Sequence, residues 1–479
     1  MRLKITVCLS FFLLAAFYGR SQENYPFVPD RDPEVVKSLE HWKDLKFGLL
    51  MHWGTYSQWG IVESWSLCPE DEGWTERKKG PYQNYFEYRK AYEALANTFN
   101  PVHFNPGKWA AAAKDAGFKY VVFTTKHHDG FCMFDTKHTD YKITAPNVPF
   151  HTNEKADVTK EIFNAFRKEG FFTGAYFSKP DWHSEHFWWP YFPPKDRNIN
   201  YDLKKYPERW KAFSDFTYNQ IEELTTRYGR IDLLWLDGAW VMPDSLVNRK
   251  IDWQKGIPAG QDVDMNRIGA MARKNQPGIL IVDRWVPTKW ENYHTPEQAI
   301  PEKPLPYPWE TCMTMAGSWS YVPNDQYKSA ETIIHNLVTI VCNGGNYLLN
   351  VAPGPDGEWH AEAYERMKEI GQWMKVNGEG IYNSRPYMLP KPGSKGVNDY
   401  VPFCTVNKEQ NIIYRFVPAK ENNGAELHIP VEYGKKIKKI TLLGSPTKLQ
   451  WKHAGGEAVI KPLFPPQKGY ALCYKIELK

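Results

Sequence analysis

Leu-Leu-Trp-Leu-Asp-Gly-Ala-Trp, residues 233–240, is a four-residue apolar run that ends abruptly in a carboxylate. An apolar run this short, closed by a glycine, reads as a buried strand. A buried strand gains nothing from an unpaired charge, because desolvating a carboxylate costs several kcal/mol unless partners satisfy it. Asp237 therefore marks a point where the chain leaves the core and presents charge. Five other stretches have the same form: FGLLMHWG (47–54), YVVFTTKHH (120–128), FFTGAYFS (171–178), GILIVDRW (278–285) and NYLLNVAP (346–353). Strands that are apolar throughout are expected in a parallel sheet covered on both faces. Helical patterns at 107–116, 158–168, 207–228, 263–275, 330–342 and 361–376 lie between them. This alternation over residues 45–375 predicts an α/β fold, a TIM-like (β/α) barrel.

The strand ends carry the functional signal. His52, His127, His128, Asp129, Ser178, Asp181, Asp237, Asp283, Arg284 and Asn350 all stand at or just past the C-terminal end of an apolar run. In a (β/α) barrel that end is the active-site face. A single Asp after a strand is ordinarily a helix cap or a turn residue. Several polar residues on one rim instead point to a binding site, with Trp235 and Trp240 available to flank Asp237.

Length and composition narrow the class. The chain has 479 residues, 42% of them hydrophobic and 24% charged, as befits a globular protein of more than one domain. Its net charge is +5. Arg2, Lys4 and Arg20 lie in the first twenty residues, so the remainder carries about +2, too little to argue for nucleic acid or an anionic membrane. Residues 1–21 combine a basic start, a short apolar run and small residues before Gln22, the pattern of a signal peptide. The mature protein is thus expected to be secreted or periplasmic, with no membrane span. The six later cysteines, Cys68, Cys132, Cys312, Cys342, Cys404 and Cys473, are scattered and read as buried thiols with at most one bridge. Residues 22–383 would form the barrel. The Pro- and Gly-rich stretch 384–396 reads as a linker into short alternating runs, and residues 384–479 as a small antiparallel β-sandwich.

Several chemistries remain open from the residues alone. Adjacent His127 and His128 in KHHDGF should point to opposite faces of an extended segment, which disfavours a zinc site and suits hydrogen bonding to a polar ligand. His52 in MHWG invites the same reading. Hydrolysis of a glycosidic bond needs two carboxyl groups. If Asp237 is one, Glu297 in YHTPEQ and Glu310 in PWETC are candidates for the other, both in a long segment read as a loop over the barrel mouth. Arg284 would either pair with its neighbour Asp283 or lower the pKa of Asp237. No phosphate-binding glycine loop and no GxSxG elbow is present.

Taken together, KFGLLMHWGTYS, KYVVFTTKHHDGF, LLWLDGAW, IVDRW, YHTPEQ, PWETCMTM and NGGNYLLNVAPGPDG resemble the α-L-fucosidases of glycoside hydrolase family 29, in order and across the whole barrel region. The resemblance implies that Asp237 is the nucleophile, with Trp235 beside the sugar. It implies that His52, His127, His128, Tyr176 and Arg284 contact substrate, and that the TPE context favours Glu297 over Glu310 as acid/base. The family's Glu-Trp pair falls on Glu63 and Trp65, separated here by an inserted Ser64. A retaining exo-fucosidase acting on fucosylated glycans follows, with no cofactor and no metal. Phe131, Tyr176, Phe177 and Trp235 are expected to wall the deoxy position of the sugar. The alternatives are a related exo-glycosidase such as an α-L-galactosidase, a catalytically dead fucose-binding protein, and a zinc hydrolase on His127 and His128. Oligomeric state, linkage preference and the role of the C-terminal region are not readable from the sequence.

Overall fold

The computed structural model describes residues 26–69, 77–388, 400–418, 424–432, 434–461 and 470–479. The expected signal peptide lies outside them, as does the expected linker from residue 389 onward. Residues Ser384–Pro386, at the start of that linker, instead form a strand of the C-terminal sheet.

Seven parallel strands make the main sheet: β1 (Phe47–Met51), β2 (Tyr120–Lys126), β3 (Phe172–Ser178), β4 (Leu233–Asp237), β5 (Leu280–Val282), β6 (Glu310–Thr314) and β7 (Asn346–Asn350), in the order β5-β4-β3-β2-β1-β7-β6. The six expected strands are all present, each shorter than its run; His52, His127, His128, Asp283 and Arg284 lie past the last ladder residue, while Ser178, Asp237 and Asn350 stay in it. Strand β6 was expected to be loop. The outer edges, β5 and β6, are joined by residues 292–298. The Asn292 N–H donates to the Ile281 carbonyl at 2.9 Å, while His294 and Glu297 bridge in parallel to Trp309 and Cys312. This segment completes the wall of the TIM-like barrel.

Side-chain alternation along the strands sorts the core into two layers. Leu50, Tyr120, Val122, Tyr176, Leu233, Trp235, Leu280, Val282, Cys312 and Leu348 pack together inside the barrel. Their neighbours Leu49, Val121, Phe123, Ala175, Phe177, Leu234, Leu236, Ile281 and Leu349 face the helices. Asp237 lies two residues beyond Trp235, so the same parity puts it on the inner face at the top of β4. The helices cover the outside with amphipathic faces. In Val158–Lys168, for example, Asp157 caps the Lys160 N–H, and Val158, Ile162, Phe163 and Phe166 turn one stripe inward.

The C-terminal region contains a five-stranded antiparallel sheet (β12-β15-β10-β9-β8) and a three-stranded one (β11-β14-β13). Here β8 to β12 are Ser384–Pro386, Cys404–Asn407, Ile412–Val417, Leu427–Pro430 and Ile437–Leu442. Strands β13 to β15 are Gln450–Ala454, Glu457–Lys461 and Leu472–Leu478. It packs against the last barrel helix, Ala361–Asn377, where the Trp373 indole N–H donates to the Ala471 carbonyl at 2.7 Å. All six described cysteines are buried and free, with none bridged.

Candidate active site

Asp237 answers the question its strand raises. Its Oδ1 accepts the Gly238 N–H at 2.8 Å and Arg284 Nη1 at 3.2 Å, and its Oδ2 accepts the Tyr176 hydroxyl at 2.6 Å. Burial alone would raise its pKa, but the Arg284 guanidinium, with the Tyr176 hydroxyl and the Gly238 N–H, outweighs burial and holds it at about 2. The carboxylate is ionised, oriented and short of water, as an attacking group requires. Gly238 makes the turn possible: its φ is +95°, and a Cβ there would meet Pro180 Cδ at 2.2 Å.

Arg284 does not pair with its neighbour Asp283. Its Nη2 bonds to Glu297, so one guanidinium binds both Asp237 and Glu297. Asp283 is taken by Lys179 at 2.6 Å, with both side chains fully buried. That pair ties the end of β3 to the residue preceding Arg284. Arg284 and Trp285 both have left-handed backbones, φ +32° and +66°. Such strain persists only where surroundings over-determine it, and it concentrates at functional sites.

The two glutamate candidates separate cleanly. Glu297 stands in the wall segment with its carboxyl on Arg284. Glu310 is the first residue of β6 and lies inside the barrel, fully buried. It accepts hydrogen bonds from the Tyr120 hydroxyl at 2.5 Å, the Trp235 indole at 3.2 Å and the Tyr293 hydroxyl at 3.4 Å. Burial lifts its pKa to about 7 against those donors. It does not face the mouth.

Glu63 forms a third carboxyl group. It is 2% exposed, accepts the Ser320 N–H, and has one oxygen without a partner. Burial, then the charges of Glu297 and Asp237, push its pKa well above the usual carboxylate range. The inserted Ser64 has its own task. Its hydroxyl lies 2.5 Å from His127 Nδ1 and accepts the Asp129 N–H at 2.9 Å. With Ser64 turned to the histidine, both Glu63 and Trp65 face the site. The Trp65 ring stands edge-on to His128 at 5.2 Å.

The three histidines are neutral. Burial, the largest influence on each, lowers His52 and His128 to about 4 and His127 well below the usual imidazole range. Their partners set the tautomers. Asn350 Nδ2 donates to the Trp319 carbonyl, so its Oδ1 is the acceptor for His52 Nδ1 at 2.8 Å. His52 Nε2 is therefore left as a lone pair. Ser178 donates to the Pro180 carbonyl, so it accepts from His128 Nδ1 at 2.7 Å. His128 Nε2 then presents a lone pair 3.8 Å from Asp237 Oδ2. Two acceptors facing each other across that gap call for a hydrogen-bond donor from a ligand.

His127 and His128 do not diverge as an extended segment would require. The strand ends at Lys126, and the following turn brings the two rings to 4.2 Å. His127, His128 and Asp237 each offer a ligand atom within 4.8 Å of the others, a spacing three metal ligands can adopt. Arg284 already places a fixed cation on Asp237, and a metal ion there would sit against the guanidinium. Two expected walls are also displaced. Phe177 faces the helices beneath Lys126, and Phe131 packs on Phe99 and Tyr141. Tyr176 and Trp235 do line the site, stacked at 5.3 Å.

Four contributors escaped the sequence reading. Trp182 lies 5.2 Å from the His128 ring, Trp319 5.3 Å from the His52 ring, and Arg197 covers both Trp65 and Trp240. Ser64 is the fourth. All sit in long connections, where no periodicity marks a residue's direction; for the two tryptophans the one signal is compositional, the 20 Trp of the chain.

A family model described as alpha-L-fucosidase matches residues 14–379. Tissue alpha-L-fucosidase of Rattus norvegicus is 28% identical over 457 residues, covering 92% of this chain and 89% of that protein. The Homo sapiens tissue alpha-L-fucosidase is 27% identical over 463 residues, covering 93% and 90%. Among solved structures, alpha-L-fucosidase isoenzyme 1 from Paenibacillus thiaminolyticus is similar with a TM-score of 0.72 at 27% identity, over 93% of this chain and 100% of that one. With the family model spanning most of the chain, and the barrel and its C-terminal β domain shared with a solved member, this protein belongs to the alpha-L-fucosidase family of glycoside hydrolases.

Proposed function

We propose that the protein is an exo-acting, retaining α-L-fucosidase that releases terminal α-L-fucose from glycans by double displacement. One observation carries the reading: a single guanidinium, Arg284, holds two carboxyl groups, Asp237 and Glu297, at the same barrel mouth. Such a close pair suits retention, for which the carboxyls stand about 5–5.5 Å apart; inverting enzymes leave room for a water between them. Asp237 attacks the anomeric carbon and forms a fucosyl ester. Glu297 gives a proton to the leaving oxygen and then takes one from the water that hydrolyses the ester. His52, His127, His128 and Glu63 bind ring hydroxyls, while Trp65, Tyr176 and Trp235 face the apolar part of the sugar. The substrate is a fucosylated oligosaccharide or glycoconjugate, met outside the cytoplasm after loss of residues 1–21.

The test is hydrolysis of an aryl α-L-fucoside followed by NMR, with α-fucose expected as the first product. A mechanism-based 2-fluoro-fucosyl fluoride should lose its anomeric fluoride and add one 2-deoxy-2-fluoro-fucosyl mass to the peptide carrying Asp237. An Asp237→Gly protein with undiminished rate, or a β-anomer formed first, defeats the proposal. Faster turnover of the matching α-L-galactoside would instead favour the shifted-specificity reading.

A further inference from the structure

We propose that Glu310, inside the barrel and away from the substrate, is a positioning residue: it holds the Trp235 indole that backs both partners of Asp237. The inference rests on the reaction proposed for Asp237.

A carboxyl group in the middle of a barrel core needs a reason. Filling that volume with an apolar side chain is often neutral or stabilising relative to a buried charge. The hydrogen-bond partners of Glu310 are two phenols and an indole, none of them cationic. What the carboxyl supplies is therefore a fixed set of acceptor directions. Tyr293 is itself pinned, stacked on Trp42 at 4.0 Å, and Tyr120 is fully buried in β2. The remaining donor is the Trp235 indole N–H.

Trp235 passes this fixation on. Its ring lies nearly parallel to Tyr176, 21° between planes, and the Tyr176 hydroxyl donates to Asp237. The Arg284 guanidinium lies over its other neighbourhood, 4.8 Å from the ring centroid, and Arg284 binds both Asp237 and Glu297. An indole free to tilt would unseat the hydroxyl and the guanidinium together. The main chain of β6 adds a second tie. The Glu310 N–H donates to the His294 carbonyl at 2.8 Å, and the Cys312 N–H to the Pro296 carbonyl at 3.1 Å, the residue before Glu297. One residue thus braces the nucleophile through its side chain and starts the ladder that carries the second carboxyl.

The experiment compares wild type, Glu310→Gln and Glu310→Leu on an aryl α-L-fucoside, with thermal unfolding and near-UV circular dichroism recorded for each. Glu310→Gln keeps an acceptor for the indole and should stay within about threefold of wild type. Glu310→Leu fills the volume but offers no acceptor; kcat should fall about 10- to 100-fold with KM changed less than threefold. Unchanged kcat in a folded Glu310→Leu protein overturns the proposal, as does an equal loss in Glu310→Gln. Should Glu310→Leu not fold, Trp235→Phe keeps one aromatic ring but removes the N–H and the second ring of the indole. A three- to tenfold fall in kcat that Glu310→Gln no longer adds to supports the proposal, and additive losses overturn it. A wild type without turnover overturns the function itself; failure of the Glu310 variants beside an active wild type overturns only the positioning role.

Discussion

Arg284 offers the sharpest test of the site's electrostatics. Arg284→Met removes the cation shared by Asp237 and Glu297 and leaves Glu63 beside them. At the 3.2 Å separation of Nη1 and Oδ1, and an effective dielectric near 20, the pair interacts by about 5 kcal/mol. The Tyr176 and Gly238 donors remain, and solvent reaches the site, so about half of this is expected to appear as a shift. That is about 2–3 kcal/mol, or roughly 1.5–2 pKa units. Asp237 would rise from about 2 to near 4.

The direction is the same for the histidines. Arg284 lowers His52 and His128, which titrate at about 4, so its removal raises them as well. In wild type the acid limb of kcat/KM is expected near pH 4, where the imidazoles protonate, with Asp237 still ionised. In Arg284→Met the limb should move up by roughly 1–2 pH units. Loss of two charge-assisted hydrogen bonds, each about 1.5–3 kcal/mol, should also cut kcat/KM by about 100-fold or more at the optimum. Stability follows the same linkage. The depressed pKa of Asp237 stabilises the fold above its unfolded value of 3.8, and this is lost as pH falls toward 2. In Arg284→Met, with Asp237 near its unfolded value, that contribution is gone, so the loss of stability seen in wild type as pH falls from about 4 toward 2 should largely disappear. Arg284→Lys keeps charge without the fork, so its limb should stay near that of wild type while its rate falls. The assay is kcat/KM for an aryl α-L-fucoside from about pH 3 to 8, with thermal unfolding at each pH. Equal limbs in Arg284→Met and Arg284→Lys, or a limb that moves down, refute the reasoning.

Three further outcomes are expected. Glu297→Ala should lose about 100- to 1,000-fold on fucosides with poor leaving groups and much less on activated aryl fucosides, with azide restoring turnover as α-fucosyl azide; equal losses on both substrates argue against an acid/base role. Lys179→Met leaves the fully buried Asp283 without its cation and should cost about 3–5 kcal/mol in chemical denaturation, since breaking a buried pair strands a charge. Treatment with a strong chelator should leave the fucosidase rate unchanged, because Arg284 supplies the positive charge that a metal on His127, His128 and Asp237 would bring; inactivation reversed by added zinc contradicts this.

What the sequence made legible follows from how each residue is held. Six strands showed because burial on both faces forces continuous apolar runs, and Asp237 showed because it ends one. Strand β6 did not, because ETCMT alternates a barrel-interior carboxyl with small and polar residues, and prolines crowd its approach. Glu310 consequently passed for a loop residue. Glu297 passed for one too, although its segment is hydrogen-bonded to β6 and to β5. Phe177 was misplaced although period-two alternation beside Tyr176 already sent it outward. His127 and His128 were set apart by a strand assumed to run two residues too far. Trp182, Arg197 and Trp319 lie in connections whose direction is decided only by tertiary packing.

The charges at the mouth favour one kind of transition state. Asp237 is held ionised, Glu63 is pushed toward its neutral form, and Arg284 is bonded to both Asp237 and Glu297. His52, His127 and His128 could each have added a cation, but burial keeps all three neutral at pH 7. Glycoside cleavage passes through an oxocarbenium-like state that places positive charge on the sugar. A pocket whose histidines were protonated would repel that charge just as it forms. Burying three imidazoles beside a carboxylate is costly in stability, and it makes sense where positive charge must develop a few ångströms away. The same arrangement explains why the acid limb should belong to the histidines: each proton they gain sets a fixed cation against the reaction before Asp237 itself is silenced.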